Sequence, residues 1–180
     1  MTQSMKPTLS HMGIFVTDVD RMIRFYTEVL GLTLTDRGHG ITFNNEIAFL
    51  SSDPQKHHEV VLASGRPKDA TFSTVMQASF MVGSLDELRT VKAKALAGGA
   101  SQMRALDHGN AWSIYFKDPE GNTVEVYLDT PFHVPQPHGD PLDLSMSDAE
   151  IVRTTEAACR NDPGFMPRAE YVRRQSEAMR

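Results

Sequence analysis

The chain is poor in cysteine. Cys159 is the only one in 180 residues, which excludes an internal disulfide. No run of Lys or Arg occurs, and 23 acidic side chains outnumber 18 basic ones. A mildly acidic surface without a basic stripe has nothing to neutralise a phosphate backbone or dock on an anionic bilayer, so neither nucleic acid nor membrane is expected as a partner. No stretch reads as a signal peptide or as an apolar run long enough to span a bilayer, which makes the cytoplasm the expected compartment. What the chain has instead is enough length for one ordinary domain with a sizeable core, and ten methionines, most simply core filling.

Its elements come twice. A strand over 9–16 is followed by a helix that Asp18 or Asp20 can cap, with Ile23, Phe25, Tyr26, Val29 and Leu30 as its apolar positions and Gly31 as its stop. Three strand-like runs follow, over 32–36, 41–50 and 57–63. After the polar linker 64–69 the order restarts, with a strand over 75–82, a helix over 85–96 capped by Ser84 and ended by Gly98-Gly99, and strands over 101–106, 111–117 and 123–128. This is a βαβββ unit written twice. Val16-Thr17-Asp18 and Val82-Gly83-Ser84 set the register between copies, and the same shift carries His11 onto Gln77. The first strands thus offer His11 and Gln77, and the last strands His58 and Glu125. The expected fold is α+β, with two such modules forming one curved mixed sheet around a cleft.

Glu125 is the anchor of the site argument. Period-two alternation puts Thr123, Glu125 and Tyr127 on one face of a largely apolar strand, after the turn Asp118-Pro119-Glu120-Gly121-Asn122. A carboxylate pointing inward is costly unless a cation, a metal or several donors meet it. Arg104 and Lys117 are the alternative partners. Beyond the repeats, 131–141 is rich in Pro and His and reads as an extended linker. Helices near 148–160, capped by Ser147, and 168–179, started by Pro167, follow it and are expected to pack rather than act.

Phe25-Tyr26-Thr27-Glu28-Val29-Leu30-Gly31-Leu32 near His11, and the text from Tyr115 to Glu125, resemble the vicinal oxygen chelate superfamily of glyoxalases, fosfomycin and bleomycin resistance proteins, epimerases and type I extradiol dioxygenases. The resemblance implies a metal-cleft domain over 8–130, with modules about 9–66 and 75–130, followed by a linker and helical tail over 131–180. Lys56-His57-His58-Glu59, His108-Gly109-Asn110 and the spacing of Tyr115 from Glu125 resemble the single-domain extradiol enzymes.

That resemblance implies His11, Gln77 and Glu125 as metal ligands, with His58, His108 and Tyr115 as catalytic acid–base groups. It also implies Fe(2+) as the cofactor, with Mn(2+), Ni(2+) or Zn(2+) as substitutes, and a homodimer. The implied reaction is Fe(II)-dependent ring cleavage of a catecholic aromatic by dioxygen. Gln77 is the departure, since the extradiol enzymes carry a second histidine there, and a neutral amide oxygen is a harder, weaker donor than imidazole. Read as four ligands, His11, His58, Gln77 and Glu125 resemble instead the glyoxalase and epimerase branch, metal-dependent isomerases or lyases of carbonyl substrates. A non-enzymatic binder of an aromatic small molecule is the third reading. His39, His133 and His138 are expected in solvated loops, and Trp112 is expected to pack.

Overall fold

The structure, a computed structural model, describes residues 7–42 and 44–179. Phe43, inside the strand expected over 41–50, lies outside the described residues. The chain divides into two compact units between Ser73 and Thr74. In the first, β1 (Met12–Val16) leads into α1 (Val19–Leu30), then β2 (Thr33–His39), β3 (Glu46–Ser51) and β4 (Val60–Ser64). These strands form a four-stranded mixed sheet in the order β1-β4-β3-β2, with β1 and β4 parallel.

Local chemistry explains α1. The Asp18 carboxylate accepts from the Arg21 N–H at 2.9 Å, and Gly31 ends the helix at φ +71°, where a side chain would be strained. Met22, Phe25, Tyr26 and Val29, spaced by three and four, are buried.

The second unit repeats the order with β5 (Ala78–Met81), α2 (Leu85–Ala97), β6 (Ser101–Asp107), β7 (Ala111–Lys117) and β8 (Thr123–Asp129). It then continues through β9 (Phe132–His133), β10 (Asp140–Pro141), α3 (Asp148–Cys159), β11 (Met166–Pro167) and α4 (Arg168–Ala178). Five strands pair in the order β10-β6-β7-β8-β5, again with the first strand of the repeat parallel to the last. The α+β class and the doubled βαβββ order are as expected; in place of the one curved sheet expected, each repeat forms its own sheet, because the hydrogen-bonded pairing runs within the repeats. Among the described residues, no helix is long and apolar enough to cross a membrane.

Other expectations need correction. The stretch 131–141 is not a free linker: β9 pairs with β11, and β10 extends the edge of the sheet along β6. His133, expected in a solvated loop, stacks on Tyr171 at 3.7 Å between ring centroids, and His39 ends β2 as an exposed strand residue. The repeat also slips. Met12 pairs with Val60 and Ala78 with Val124, so Glu125 corresponds in register to Val61, and His58 lies before its ladder begins.

The tail is fastened to the second unit by buried polar bonds. Trp112 Nε1 donates to Thr155 Oγ1 at 2.8 Å, and that hydroxyl donates to Asp107 Oδ2 at 2.5 Å, with all three residues buried. Ser147 and Glu150 close a reciprocal capping box at the start of α3. Arg89 on α2 reaches the Leu144 and Met146 carbonyls, both at 2.9 Å, and Asp148 at 2.8 Å. Replacing Thr155 with Val leaves the Trp112 donor and the Asp107 acceptor unpaired, which costs about 1–3 kcal/mol. Urea unfolding of Thr155→Val should show that loss; an unchanged midpoint would mean these bonds add nothing.

Candidate active site

Register builds the polar row of the second unit. Tyr115 on β7 lies directly opposite Glu125 on β8, Ser79 on β5 faces Glu125 from the other side, and Arg104 on β6 faces Tyr115. Four adjacent strands therefore present Ser79, Glu125, Tyr115 and Arg104 in line on one face. Gln77, two residues before Ser79 and just ahead of β5, joins the same row.

Glu125 is 8% exposed, and three neutral donors hold it. Gln77 Nε2 donates to Oε2 at 2.5 Å, Ser79 Oγ donates to the same oxygen at 2.6 Å, and the Tyr115 hydroxyl donates to Oε1. The alternative partners are engaged elsewhere: Lys117 Nζ donates to Thr123 Oγ1 at 2.7 Å, and the Arg104 guanidinium lies over the Tyr115 ring, 4.9 Å from its centroid.

A carboxylate has about four lone-pair directions, and three are taken. One remains, on the oxygen facing Tyr115. With its Nε2 turned to Glu125, Gln77 keeps its carbonyl oxygen for another partner; amide orientation follows from this network. A carboxylate oxygen and an amide oxygen are hard donors suited to a divalent cation, and a buried carboxylate held only by neutral groups is one that a cation would complement. The residues fit a divalent metal.

Beyond Tyr115 the row continues to His108, whose Nε2 lies 2.9 Å from the phenol oxygen and whose Nδ1 lies 2.6 Å from the His138 carbonyl. The carbonyl can only accept, so Nδ1 carries hydrogen. Tyr115 gives its one proton to Glu125, so its oxygen accepts from His108 Nε2–H. All the bonds are satisfied together only when the row holds one proton more than neutral His108 and ionised Glu125 supply. Burial, and then the Glu125 carboxylate beside it, push the Tyr115 phenol up to about 12. A cavity of about 240 Å³ opens here, lined by His108, Asn110, Tyr115, Glu125, Tyr127 and Gln136 among others.

In the first unit His11 lies immediately before β1, and His58 two residues before β4. Their rings sit 4.3 Å apart between centroids. Burial, with the neighbouring His11 and His57, holds His58 below the usual histidine range. His57 is exposed and places Nδ1 2.9 Å from His58 Nδ1. Both precede β4, whose ladder starts at Val60.

The structure thus joins His11 to His58 in one unit and Gln77, Glu125, Tyr115 and His108 in the other. Sequence reasoning missed Ser79, although its position two residues after Gln77 on the same strand face is a usable signal. It also missed Gln136, which carries no local signal. His138, expected to be solvated, has Nε2 3.4 Å from Asp140 and Nδ1 3.4 Å from Asp162. Cys159 Sγ lies 3.7 Å from its Nε2.

His138, Cys159 and Asp162 bring potential ligand atoms within 4.8 Å of one another. Burial, with the charge of Asp107, Asp162 and Asp140, pushes the Cys159 thiol up to about 11, however, which keeps it protonated at neutral pH. Both ring nitrogens of His138 already face carboxylates, so the cluster serves as a buttress.

Doubled βαβββ modules with a buried glutamate on the closing strand define the vicinal oxygen chelate class. The chain belongs to the Glyoxalase/Bleomycin resistance protein/Dioxygenase superfamily, whose family model matches residues 8–126. Biphenyl-2,3-diol 1,2-dioxygenase 3 of Rhodococcus globerulus is 29% identical over 139 residues, covering 74% of this chain and 69% of the relative. Biphenyl-2,3-diol 1,2-dioxygenase 2 of the same organism is 24% identical over 164 residues, covering 84% and 83%.

Among solved structures, a glyoxylase/bleomycin resistance protein/dioxygenase domain from Frankia sp. EAN1pec superposes with TM-score 0.58 at 24% identity, over 69% of this chain and 99% of that one. The fosfomycin resistance protein FosX of Listeria monocytogenes, complexed with Mn(II) and sulfate, gives 0.55 at 19% identity, over 70% and 95%. These structural likenesses establish the fold. Taken with the family match, the relatives support metal-dependent function at the level of the superfamily.

The Cys159 thiol is pushed from its usual value of 9 up to about 11 in the fold, so the unfolded chain releases the proton first. Its contribution to stability is intact below pH 9 and is lost as pH rises toward 11. Unfolding free energies of wild type and Cys159→Ala should diverge in slope across that window, the variant being flatter. Parallel curves would contradict the assignment.

Proposed function

We propose that the chain is an Fe(II)-dependent extradiol dioxygenase that cleaves a catecholic aromatic with dioxygen. In this reading His11, Gln77 and Glu125 are the metal ligands, and His58, His108 and Tyr115 handle protons. The observation that carries it is the line His108–Tyr115–Glu125 beside a cavity. The similarity to two biphenyl-2,3-diol dioxygenases adds support.

When bound, Fe(II) supplies open positions for two vicinal oxygens and an electron source for dioxygen. The side chains supply the rest. A catechol must lose hydroxyl protons before both oxygens can chelate, and His108 can take one: with the ring neutral and its Nδ1–H on the His138 carbonyl, Nε2 is the acceptor, and the proton received there completes the hydrogen-bonded row through Tyr115. The Arg104 guanidinium over the Tyr115 ring favours negative charge developing on that phenol. The His108 ring, held through its own Nδ1, cannot turn away from Tyr115. His58 is the acid–base group assigned to dioxygen, and its ring packs against Phe49, 5.0 Å between centroids, and His11.

One observation favours a second reading. His58 lies so near His11 that it could serve as a fourth ligand, which corresponds to a metal-dependent isomerase or lyase acting on a carbonyl compound.

Metal content and catechol cleavage, measured on protein loaded anaerobically with Fe(II), separate the two. Ring-fission product from wild type supports the dioxygenase, whereas product from Gln77→His alone would give precedence to the isomerase or lyase. Tyr115→Phe should retain metal and lose about 10²–10⁴-fold in kcat, the usual worth of a positioned proton-transfer group. Unchanged kcat in that variant would remove Tyr115 from the reaction.

A further inference from the structure

We propose that the segment 134–138 is a working part of this site and that Gln136 is a positioning residue, its side-chain amide holding the His108 ring in the one orientation and protonation pattern that Tyr115 can use. The inference rests on the reading of His108 and Tyr115 as proton-handling groups.

The geometry is reciprocal. Gln136 Nε2 donates to the His108 carbonyl at 2.8 Å and to Asn110 Oδ1 at 3.2 Å, while Gln136 Oε1 accepts from the His138 N–H at 3.1 Å. One amide thereby ties both ends of a small ring of contacts: the loop that carries His108, and the residue whose carbonyl receives His108 Nδ1–H. Because that carbonyl can only accept, the Nδ1 proton is fixed. Nε2 is then the ring nitrogen left to exchange a proton with Tyr115.

The loop and the tail meet without slack. Gly109, at φ +71°, leaves no room for a side chain: a Cβ there would lie 2.5 Å from Val134 Cγ2 and 2.9 Å from Cys159 Sγ. The Gly109 carbonyl is held by the Thr130 hydroxyl at 2.6 Å, and its N–H by Asp107 at 2.8 Å. His138 is itself seated between Asp140 and Asp162 and against Cys159, so the carbonyl that receives His108 has a fixed origin. Gln136 also lines the cavity beside Tyr115 and Glu125. The tail therefore does more than cover a sheet edge, because it supplies the hydrogen-bond acceptor that decides which nitrogen of His108 works.

The test uses the full-length chain with diamagnetic Zn(II) and proton–nitrogen imidazole NMR of wild type, Gln136→Met and Gln136→Glu. The first substitution keeps volume without donors, and the second keeps an acceptor but presents a carboxylate to two oxygens. Gln136 is exposed, so both variants should fold, and thermal unfolding checks this. Wild type should show a slowly exchanging His108 Nδ1–H. Both variants should lose it while melting near the wild-type temperature, and Fe(II)-loaded samples should lose about 10²-fold or more in kcat on catechol with KM little changed.

An unaltered His108 Nδ1–H signal in both variants would overturn the proposal, whatever the kinetics. Absence of turnover by wild type would refute the dioxygenase reading, while the NMR comparison would still decide the positioning role.

Discussion

A negative charge on a nearly buried strand is the constraint around which the second unit is organised. The cation of its row, Arg104, lies over the Tyr115 ring rather than against Glu125, so the Glu125 oxygens are shared among the neutral donors Gln77, Ser79 and Tyr115. Desolvating a carboxylate costs several kcal/mol, and neutral hydrogen bonds return only part of that. A site built this way is under-compensated by design, and such a site binds a divalent cation at the least cost to the fold. The same arrangement accounts for Tyr115, whose phenol is kept protonated by burial and by the carboxylate it serves.

Control of the row extends outward through backbone groups rather than through further side-chain acids. His108 is oriented by a peptide carbonyl, that carbonyl is fixed by Gln136 and by the Asp140–His138–Asp162 arrangement, and α3 closes behind them with Cys159 against Gly109. Rigid support behind His108 matters under its proposed proton-transfer role, because an error of an ångström at such a donor costs about 10²-fold in rate. The tail, which composition marks as a linker and two surface helices, is the part of the chain that provides this support.

Much of the fold was legible because its determinants are local. Asp18, Ser84 and Ser147 cap helices where side chains of their type should, Gly31 ends α1 in the left-handed conformation, and Phe25, Tyr26 and Val29 among the expected apolar positions of α1 are buried, with Val19 and Met22 completing the face rather than Ile23 and Leu30. Glu125 was legible as a charge out of place in an apolar strand. What escaped was long-range or lay at strand ends. His57 and His58 fall before the β4 ladder, so strand alternation does not fix their directions. The register slip between repeats cannot be read from a strand's own residues, because both registers bury apolar side chains. Gln136 works through partners 26 and 28 residues away, in a segment whose prolines signal only extended chain.

The central claim, that Glu125 is an under-compensated carboxylate awaiting a cation, is tested most directly by thermal unfolding of wild type and Glu125→Gln with and without Mn(II). Replacing the charge with its neutral isostere should leave the metal-free protein at least as stable as wild type. Mn(II) at about 100 times its dissociation constant should stabilise wild type by about 2.7 kcal/mol and the variant hardly at all. A variant that is strongly destabilised without metal, yet still stabilised by Mn(II) as wild type is, would show that Glu125 is a structural hub and that the cation binds elsewhere.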